Sequence, residues 1–244
     1  MEKLRGVILA GGLGTRLLPI TRQQNKHMLG ILNNPMILYP LETLKSLGIT
    51  DIIIISGGGH IGDIADFFGD GSEYGVNLTY RAQKEAGGIA QALGLASDFA
   101  HGEQVAVILG DNIFENDAVQ NIELSPGVAH IFAKKVTDPD RFGVVTWEAV
   151  VGEAFHIEEK PKSPQTNLAV TGLYVYPPEV FDVIPTLEPS NRREFEITDV
   201  NNYFTTKRKC TLHVIDGFWS DAGTPESLYR AIKYIAKKNG LSTE

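Results

Sequence analysis

The sequence predicts an α/β protein with a largely parallel sheet flanked by helices. Its first half contains apolar runs that continue for several residues without alternation, which is typical of strands buried on both faces of a parallel sheet. Segments that we interpret as helices lie between these runs, as crossover connections require. After Asp138 the segments become shorter and turns become more frequent, which predicts a β-rich insertion near the edge of the sheet.

The predicted elements follow this division of the chain. Strands are expected at residues 6–10, 51–56, 77–81, 104–109 and 128–134, and then, in the β-rich part, at 142–147, 154–159 and 169–176. Helices are expected at residues 35–47, 88–99, 178–184, 195–206 and 225–238. The last of these has a natural start, because Thr224 is a good N-cap residue and Pro225 suits the first helical position.

Composition limits the class of protein. The 244 residues are 43% hydrophobic and 21% charged, which is ordinary for a globular chain that buries a sizeable core. The net charge of -8 argues against nucleic acid as a partner. No apolar run has the length of a membrane span, and the N-terminus lacks a signal-peptide core, so we expect a cytoplasmic protein without a membrane partner. Cys210 is the single cysteine, which excludes an intrachain disulfide and a Cys-based zinc site.

A glycine-rich loop follows the first predicted strand, with the sequence LAGGLGTR at residues 9–16. Its backbone N–H groups, a hydroxyl and an arginine could close around an anion, although such a loop can also be only a tight turn. A dinucleotide fingerprint would need glycine in place of Leu17, and a P-loop would need Lys followed by Ser or Thr in place of Thr15-Arg16. The loop therefore favours neither a dehydrogenase nor a P-loop ATPase.

Two carboxylates follow predicted strands. Asp111, with Asn112 beside it, comes just after the strand at 104–109, and open α/β sheets bind ligands at that edge. A carboxylate there could hold Mg²⁺. An Asp-Asn pair is also common in turns, and the sequence alone favours neither the metal site nor the turn. Asp221 follows another apolar segment and could instead belong only to the loop before the helix at 225–238. The two carboxylates could converge on one metal ion.

An anionic ligand of this acidic chain would need local cations. Arg16, Lys26 and Lys160 are the candidates, although a lone lysine is commonly a solvated surface charge. Lys160 differs from an ordinary surface lysine because Pro161 fixes the backbone that follows it. His27 could act as a general acid or base, but an isolated histidine is more often structural, and we assign it no catalytic role.

Taken together, these motifs resemble those of the sugar-phosphate nucleotidyltransferases. The match spans nearly the whole chain, and the order and spacing of the motifs carry it rather than any one of them. The matching segments are LAGGLGTRL at 9–17, PIT at 19–21, NKH at 25–27, GGIAQA at 87–92, LGDNIF at 109–114, RFGVV at 141–145, EKPK at 159–162, AVTGLY at 169–174, EFEITD at 194–199 and WSDAG at 219–223.

The resemblance implies a Rossmann-like sheet in a single domain, 1–244, whose residues 1–135 bind nucleotide while 136–244 bind sugar and supply the C-terminal helices. It implies that glucose 1-phosphate attacks the α-phosphorus of dTTP in line with the help of Mg²⁺, and that dTDP-glucose and pyrophosphate are formed. UTP or another sugar 1-phosphate is an open alternative, because thymine and uracil differ by one methyl group. Family members are homo-oligomers, so a dimer or tetramer is expected.

The resemblance also implies roles for individual residues. The catalytic set is Arg16, Lys26, Asp111, Lys160 and Asp221, of which Asp111 and Asp221 bind the metal. The nucleotide would be held by Leu9, Ala10, Gly11, Gly12, Gly14, Thr15, Arg16, Gln83, Gly88 and Asp111. The sugar phosphate would be held by Asn112, Gly143, Glu159, Lys160, Val170 and Thr171.

The chain departs from the family pattern after Lys26. The family usually has Leu-Pro and then Lys-Pro-Met, where this chain has Gly30 and Asn34 in place of the first proline and the lysine. One cation is lost and the backbone is loosened, so we expect weaker substrate binding at most. The same departure leaves open a different class, a catalytically weak regulator that binds nucleotide sugars. Longer members continue beyond the position of Lys238, so their feedback control by a downstream nucleotide sugar is not carried over to this chain.

Overall fold

The computed structural model describes residues 3–147 and 154–242 and confirms the α/β class. The strands are β1 (Leu4–Ala10), β2 (Gly30–Ile31), β3 (Asn34–Pro35), β4 (Asp51–Gly57), β5 (Asn77–Gln83), β6 (Gln104–Leu109), β7 (Ile113–Phe114), β8 (Ala129–Lys135), β9 (Gly143–Trp147), β10 (Phe155–Glu159), β11 (Leu168–Tyr176), β12 (Cys210–Val214) and β13 (Trp219–Ser220). The α-helices are α1 (Leu38–Ser46), α2 (Ile61–Phe68), α3 (Ile89–Gly94), α4 (Ser97–Ala100), α5 (Val180–Val183), α6 (Ile197–Thr206) and α7 (Pro225–Lys238). No helix in these two ranges is both long and apolar enough to span a membrane.

The chain divides into two compact units, and each unit is assembled from three separate segments. Unit 1 contains Met1–Arg5, Gly87–Val107 and Glu123–Asp216. Unit 2 contains Gly6–Ala86, Ile108–Ile122 and Gly217–Glu244.

Unit 2 is built on parallel strands in the order β1-β4-β5. The register pairs Gly6 with Ile52 and Ala10 with Ser56, and β4 pairs with β5 along its whole length. Four consecutive isoleucines, residues 52–55, are fully buried in β4, as expected for a strand covered on both faces. The carboxyl ends of β1 and β5 therefore lie at the same edge and place the glycine-rich loop and Gln83 there.

Several elements of unit 2 pack around Leu17, which directly follows the glycine-rich loop. Helix α7 contacts the short strands β2 and β13, and β13 pairs antiparallel with β7. Thr224 caps this helix in a capping box with Ser227, as its sequence predicts. These elements enclose one apolar cluster, whose buried members are Leu17, Leu29, Ile31, Met36, Ile113, Ala222, Ala231 and Ile235.

Unit 1 contains the β-rich segments that the sequence predicts after Asp138, together with β8 and the residues from Gly87 to Val107. Strand β11 is buried along its whole length and pairs antiparallel with β8 and β9, while β12 runs parallel to the other side of β8. Strands β9 and β10 form an antiparallel pair in which Glu159 faces Gly143, and α6 packs against β10. Cys210 lies in β12 as a packed strand residue, and burial raises the pKa of its thiol to about 12.

Candidate active site

The glycine-rich loop has backbone conformations and contacts that require its glycines. Gly12 and Gly14 have φ values of 94° and 61°, in the left-handed region that L side chains rarely adopt. A Cβ atom on Gly14 would also lie 3.0 Å from the side chain of Thr21 and 3.3 Å from Cβ of Lys26. The loop then continues into a 3₁₀ turn over Thr15–Leu17, which carries Arg16.

Gln83 lies against the start of this loop. It is the last residue of β5 and is only 7% exposed. A Cβ atom on Gly11 would lie 2.8 Å from Oε1 of Gln83, so the missing side chain leaves room for the carboxamide. The structure thus groups Gln83 with the loop within unit 2, although 66 or more residues of sequence separate them.

Asp111 forms an ion pair with Lys26 at the carboxyl end of β6. Nζ of Lys26 donates to Oδ2 of Asp111 at 2.5 Å, and Nδ2 of Asn112 donates to Oδ1 at 2.9 Å. Burial alone would raise the pKa of Asp111, but the Lys26 ammonium and these hydrogen bonds hold it below its ordinary value. Trp219 in turn donates from Nε1 to Oδ1 of Asn112 at 2.7 Å, so the amide of Asn112 is held in a fixed orientation.

The second predicted carboxylate lies near the first. Asp221 follows β13, and Ala222 after it is buried with φ of 37°. A Cβ atom on Gly223 would lie 3.4 Å from Oδ2 of Asp221 and 3.5 Å from both Oδ2 of Asp111 and Nη2 of Arg16. Two carboxylates and one guanidinium therefore converge on the space that a side chain at position 223 would fill.

The chemistry of this group of atoms fits a hard divalent cation. Carboxylate oxygens are the ligands that Mg²⁺ prefers, and it usually takes one or two of them together with water and substrate phosphates. Among the residues that the structure describes, no group of three or more His, Cys, Asp or Glu side chains could hold a metal ion. Besides the two carboxylates, a cation here would thus need further ligands such as water or substrate phosphates, as it does in phosphate-transfer sites.

Glu159 is the centre of a polar cluster in unit 1. Thr198 donates to its Oε2 at 2.6 Å, and the charged groups of Lys160 and Arg192 lie 2.9 and 3.0 Å from its Oε1. Burial would raise the pKa of Glu159, but the Thr198 hydrogen bond and the two cations lower it below its ordinary value. A Cβ atom on Gly143 would lie 3.6 Å from Oε2 of Glu159, so Gly143 lies beside this carboxylate.

The remaining predicted residues of unit 1 have different surroundings. Lys160 has a left-handed backbone with φ of 46° just before Pro161, and its exposed side chain is directed to Glu159. Val170 and Thr171 are buried in β11, where the Thr171 hydroxyl donates to the carbonyl of Phe132 at 2.8 Å. Gly88 has φ of 99°, and a Cβ atom there would lie 2.5 Å from the carbonyl oxygen of Phe195.

The predicted residues therefore fall into two groups. Unit 1 holds Gly88, Gly143, Glu159, Lys160, Val170 and Thr171. Unit 2 holds Leu9, Ala10, Gly11, Gly12, Gly14, Thr15, Arg16, Lys26, Gln83, Asp111, Asn112 and Asp221.

His27 is buried and stays neutral. Its Nδ1 is 2.7 Å from Oδ1 of Asn25, and burial together with the neighbouring Lys26 charge lowers its pKa to about 3. This geometry agrees with a structural histidine. Sequence reasoning assigned no role to Asn25, Arg192 or Thr198. Asn25 stands in a matching motif, whereas nothing in the local sequence distinguishes Arg192 from a surface arginine.

The parallel strands of unit 2, with Asp111, Gln83 and the glycine-rich loop at or after their carboxyl ends, place the chain in the class of α/β proteins whose ligand sites lie at that edge of the sheet. The nucleotidyl transferase family profile matches residues 5–238, and the chain belongs to this family.

Curated relatives cover most of the chain. It is 40% identical over 238 residues to a glucose-1-phosphate thymidylyltransferase of Mycolicibacterium smegmatis. The aligned region covers 95% of this chain and 82% of the relative. It is 38% identical over 242 residues to the low-salt glycan biosynthesis nucleotidyltransferase Agl11 of Haloferax volcanii. Here the aligned region covers 98% of this chain and 68% of the relative.

A solved structure supports the same family. A candidate glucose-1-phosphate thymidylyltransferase from Bacillus anthracis, in complex with a sucrose, superposes on this chain with a TM-score of 0.87 at 46% identity. The superposition covers 95% of this chain and 94% of the Bacillus anthracis chain. A UDP-glucose pyrophosphorylase complexed with UDP-glucose superposes with a TM-score of 0.84 at 24% identity, which shows the shared fold alone.

Proposed function

We propose that the protein transfers the nucleotidyl group of dTTP to glucose 1-phosphate and forms dTDP-glucose and pyrophosphate. The observation that carries this proposal is the convergence of Asp111, Asp221 and Arg16 on Gly223, beside the glycine-rich loop. The name of the relative from Mycolicibacterium smegmatis, a glucose-1-phosphate thymidylyltransferase, supplies the substrates.

The reaction needs no general base. A phosphate oxygen of glucose 1-phosphate is already an anion, forms the new bond to the α-phosphorus of dTTP, and the bond to the β-phosphate breaks as pyrophosphate leaves with the electron pair. The protein must therefore align the two phosphates and reduce their mutual repulsion. Backbone N–H groups of Gly11, Gly12 and Gly14 would hold the triphosphate, and Thr15 and Arg16 would complete its contacts. The neutral, buried His27 has no part in proton transfer.

The cofactor that we propose is Mg²⁺, held by Asp111 and Asp221. When bound, the ion would neutralise charge on the reacting phosphates. Lys26 can exchange the Asp111 carboxylate for a phosphate oxygen, because a flexible four-carbon stem carries its ammonium group. Lys160 would perform the same role from the sugar side.

Base and sugar would be selected by the remaining residues. Gln83 and Gly88 would bind the thymine, with Leu9 and Ala10 beside the nucleotide. Glu159 would accept hydrogen bonds from sugar hydroxyls. The other residues that we propose to bind the sugar phosphate are Asn112, Gly143, Val170 and Thr171. UTP is the alternative nucleotide, because one methyl group in a pocket is worth only about 1–3 kcal/mol. A panel of nucleoside triphosphates with competing sugar 1-phosphates would measure the preference.

The first test compares Asp111→Asn with a matched control. Pyrophosphate release from dTTP and glucose 1-phosphate is measured in the presence of Mg²⁺. We expect wild-type turnover and a loss of about 100-fold or more in Asp111→Asn, because a metal-binding charge is removed. Asp117→Asn changes an exposed carboxylate of the same unit and should leave turnover unchanged. Nucleotide-sugar binding without turnover in wild type would instead support the regulator.

The larger-scale expectations also remain proposals. We propose one domain, 1–244, in which residues 1–135 bind nucleotide and 136–244 bind sugar, and a cytoplasmic homo-oligomer, either a dimer or a tetramer. Light scattering combined with gel filtration would measure the oligomeric state.

A further inference from the structure

Asn25 has a buried side chain that is tied to the base of the glycine-rich loop. It is 5% exposed, and its Nδ2 donates to Oγ of Ser56 at 3.2 Å. The Ser56 hydroxyl, fully buried in β4, donates in turn to the carbonyl oxygen of Ala10 at 2.9 Å. Ala10 is the last residue of β1, so this short chain of hydrogen bonds ends where the strand passes into the loop.

The same side chain fixes the turn that carries Lys26. Oδ1 of Asn25 accepts from the backbone N–H of His27 at 2.9 Å and from Nδ1 of the His27 ring at 2.7 Å. The Asn25 carbonyl also accepts from the N–H of Met28 at 3.0 Å. Lys26 is therefore the first residue of a 3₁₀ turn, between its N-cap Asn25, which is anchored to the sheet, and His27, whose ring is hydrogen-bonded.

The His27 ring connects this turn to the strand end that carries Asp111. A Cβ atom on Gly110 would lie 2.8 Å from Cδ2 of His27, so the ring packs directly on the Gly110 backbone. Gly110 donates its N–H to the carbonyl of Leu9 at 2.9 Å, and Asp111 follows it. The Lys26 backbone is thus held on one side by Ser56 and on the other by Gly110.

We infer that Asn25 is a positioning residue, whose carboxamide sets the place of Lys26 between the glycine-rich loop and Asp111. This inference rests on the proposed nucleotidyl transfer, in which Lys26 acts on the phosphates. A carboxamide donates and accepts at the same time, and both functions are used here. Alanine offers neither, and aspartate keeps the acceptor for His27 but loses the donor to Ser56.

The test is a double-mutant cycle between positions 25 and 26, with the kinetics of both substrates. We expect Asn25→Ala to lower kcat about 10- to 100-fold, because a displacement of about 1 Å can cost that much, and to change each KM less than about threefold. In a Lys26→Ala background, Asn25→Ala should cause no further loss, since the group that it positions is gone. Asn25→Asp should lie between wild type and Asn25→Ala.

Controls separate this role from a general effect on folding. Thr43→Ala also removes a fully buried, hydrogen-bonded polar group of unit 2 and should leave kcat unchanged, even if it lowers the melting temperature as much as Asn25→Ala does. Losses that multiply in the Asn25→Ala/Lys26→Ala protein would overturn the inference, as would an Asn25→Ala protein with full kcat. If Asn25→Ala does not fold, the same cycle is run with Asn25→Asp, and the same two outcomes decide.

A structural readout does not depend on turnover. If wild type forms no dTDP-glucose, the proposed function fails, but the position of Lys26 can still be measured. Crystal structures of wild type and Asn25→Asp are compared at the distance from Nζ of Lys26 to Oδ2 of Asp111. A displaced Lys26 supports the positioning role, and an unchanged distance and turn overturn it.

Discussion

Gly223 has no side chain and therefore leaves a space open between the charged groups of the candidate active site. In Gly223→Ala, the new methyl group would contact the Asp111 and Asp221 carboxylates and Arg16 at 3.4–3.5 Å, in the space proposed for the cation. We expect kcat/KM to fall about 10- to 100-fold and the Mg²⁺ concentration for half-maximal rate to rise, because about 1 Å of misplacement is this costly.

The matched control for this prediction is Gly62→Ala. Position 62 lies in α2 of the same unit, and a Cβ atom there meets nothing within 4 Å. Its kinetics should equal those of wild type. A Gly223→Ala enzyme with an unchanged Mg²⁺ requirement would contradict the assignment of this space to the cation.

A second prediction concerns the role of the Glu159 carboxylate in sugar binding, and Glu158, its neighbour on β10, provides a control. The lowered pKa of Glu159 keeps its carboxylate ionised at neutral pH. Glu159→Gln should raise the KM for glucose 1-phosphate by about tenfold or more, since hydrogen bonds to a charged group are worth roughly 1.5–3 kcal/mol, and should leave the KM for dTTP unchanged.

Glu158→Gln provides the comparison, because adjacent strand residues point to opposite faces and Glu158 is exposed. Steady-state rates with one substrate varied at a time separate the two KM values. Equal effects on both substrates, or an effect of Glu158→Gln as large as that of Glu159→Gln, would be inconsistent with a sugar-side role.

The sequence identifies residues whose local motif carries the signal and misses those that depend on distant partners. The glycine-rich loop, Asp111 and Asp221 could be found because each follows an apolar run, and the structure brings them together around Gly223. The partner of Asn25 is Ser56, 31 residues away, and Arg192 reaches Glu159 across 33 residues. Such pairs follow from tertiary packing, which no local pattern records.

At the element scale, the capping box of α7 makes a testable contribution to stability. The Thr224 hydroxyl accepts from the N–H of Ser227, and the Ser227 hydroxyl accepts from the N–H of Thr224. Thr224→Ala should lower the free energy of unfolding by about 1 kcal/mol, because the cap is lost. Urea denaturation measures this change. Thr224→Ser retains the hydroxyl and should restore most of the stability, and equal losses in both variants would argue against the cap.

Strands were predicted more closely than helices, for a physical reason. Every predicted strand was confirmed within two residues at either end, since continuous apolar runs mark buried strands directly. The helix predicted at 35–47 begins only at Leu38, because Asn34 and Pro35 pair with Gly30 and Ile31 as β3 and β2. The helix predicted at 88–99 is interrupted and forms α3 and α4.

Helix α2 was missed altogether. Its segment, Ile61–Phe68, follows three consecutive glycines at 57–59 and contains a further glycine at 62, so its composition predicts a turn rather than a helix. Burial of Ile64 and Phe68 on one face stabilises the helix instead. Packing has overridden local preference here.

For the whole molecule, three buried or half-buried histidines determine part of the dependence of stability on pH. Burial lowers the pKa of His27 to about 3 and that of His213 to about 4, and it also lowers the pKa of His130. In the unfolded chain a histidine titrates near pH 6.5. Between about pH 6.5 and 4 the unfolded chain therefore binds more protons, so the free energy of unfolding falls as the pH falls, and this contribution is fully present above pH 6.5.

Urea unfolding at several pH values in this window checks the prediction. His213→Gln should show a shallower dependence than wild type, because one of the three groups is removed while an amide can still meet Nδ1 of His130, 2.8 Å from the His213 ring. His156→Gln changes an exposed histidine and should follow wild type. A wild-type stability that stays constant from pH 6.5 to 4.5 would contradict the expected linkage.

The composition of the two units could not be predicted from the sequence. A parallel first half and a β-rich second half suggest a division near the middle of the chain, but unit 2 also takes in residues 217–244, and unit 1 takes in residues 87–107. Contacts between residues far apart in sequence decide this membership, and β6 itself contributes residues to both units.

The apolar cluster next to the glycine-rich loop has a consequence for folding during synthesis. Leu17 and Leu29 leave the ribosome before Ala231 and Ile235, which belong to the same cluster, and almost the whole of unit 1 is synthesised between them. The loop therefore gains its full apolar support only when α7 has emerged. All residues of unit 1 precede α7 in the chain, so we expect the loop that we propose for dTTP to reach its final form only after unit 1 has been translated.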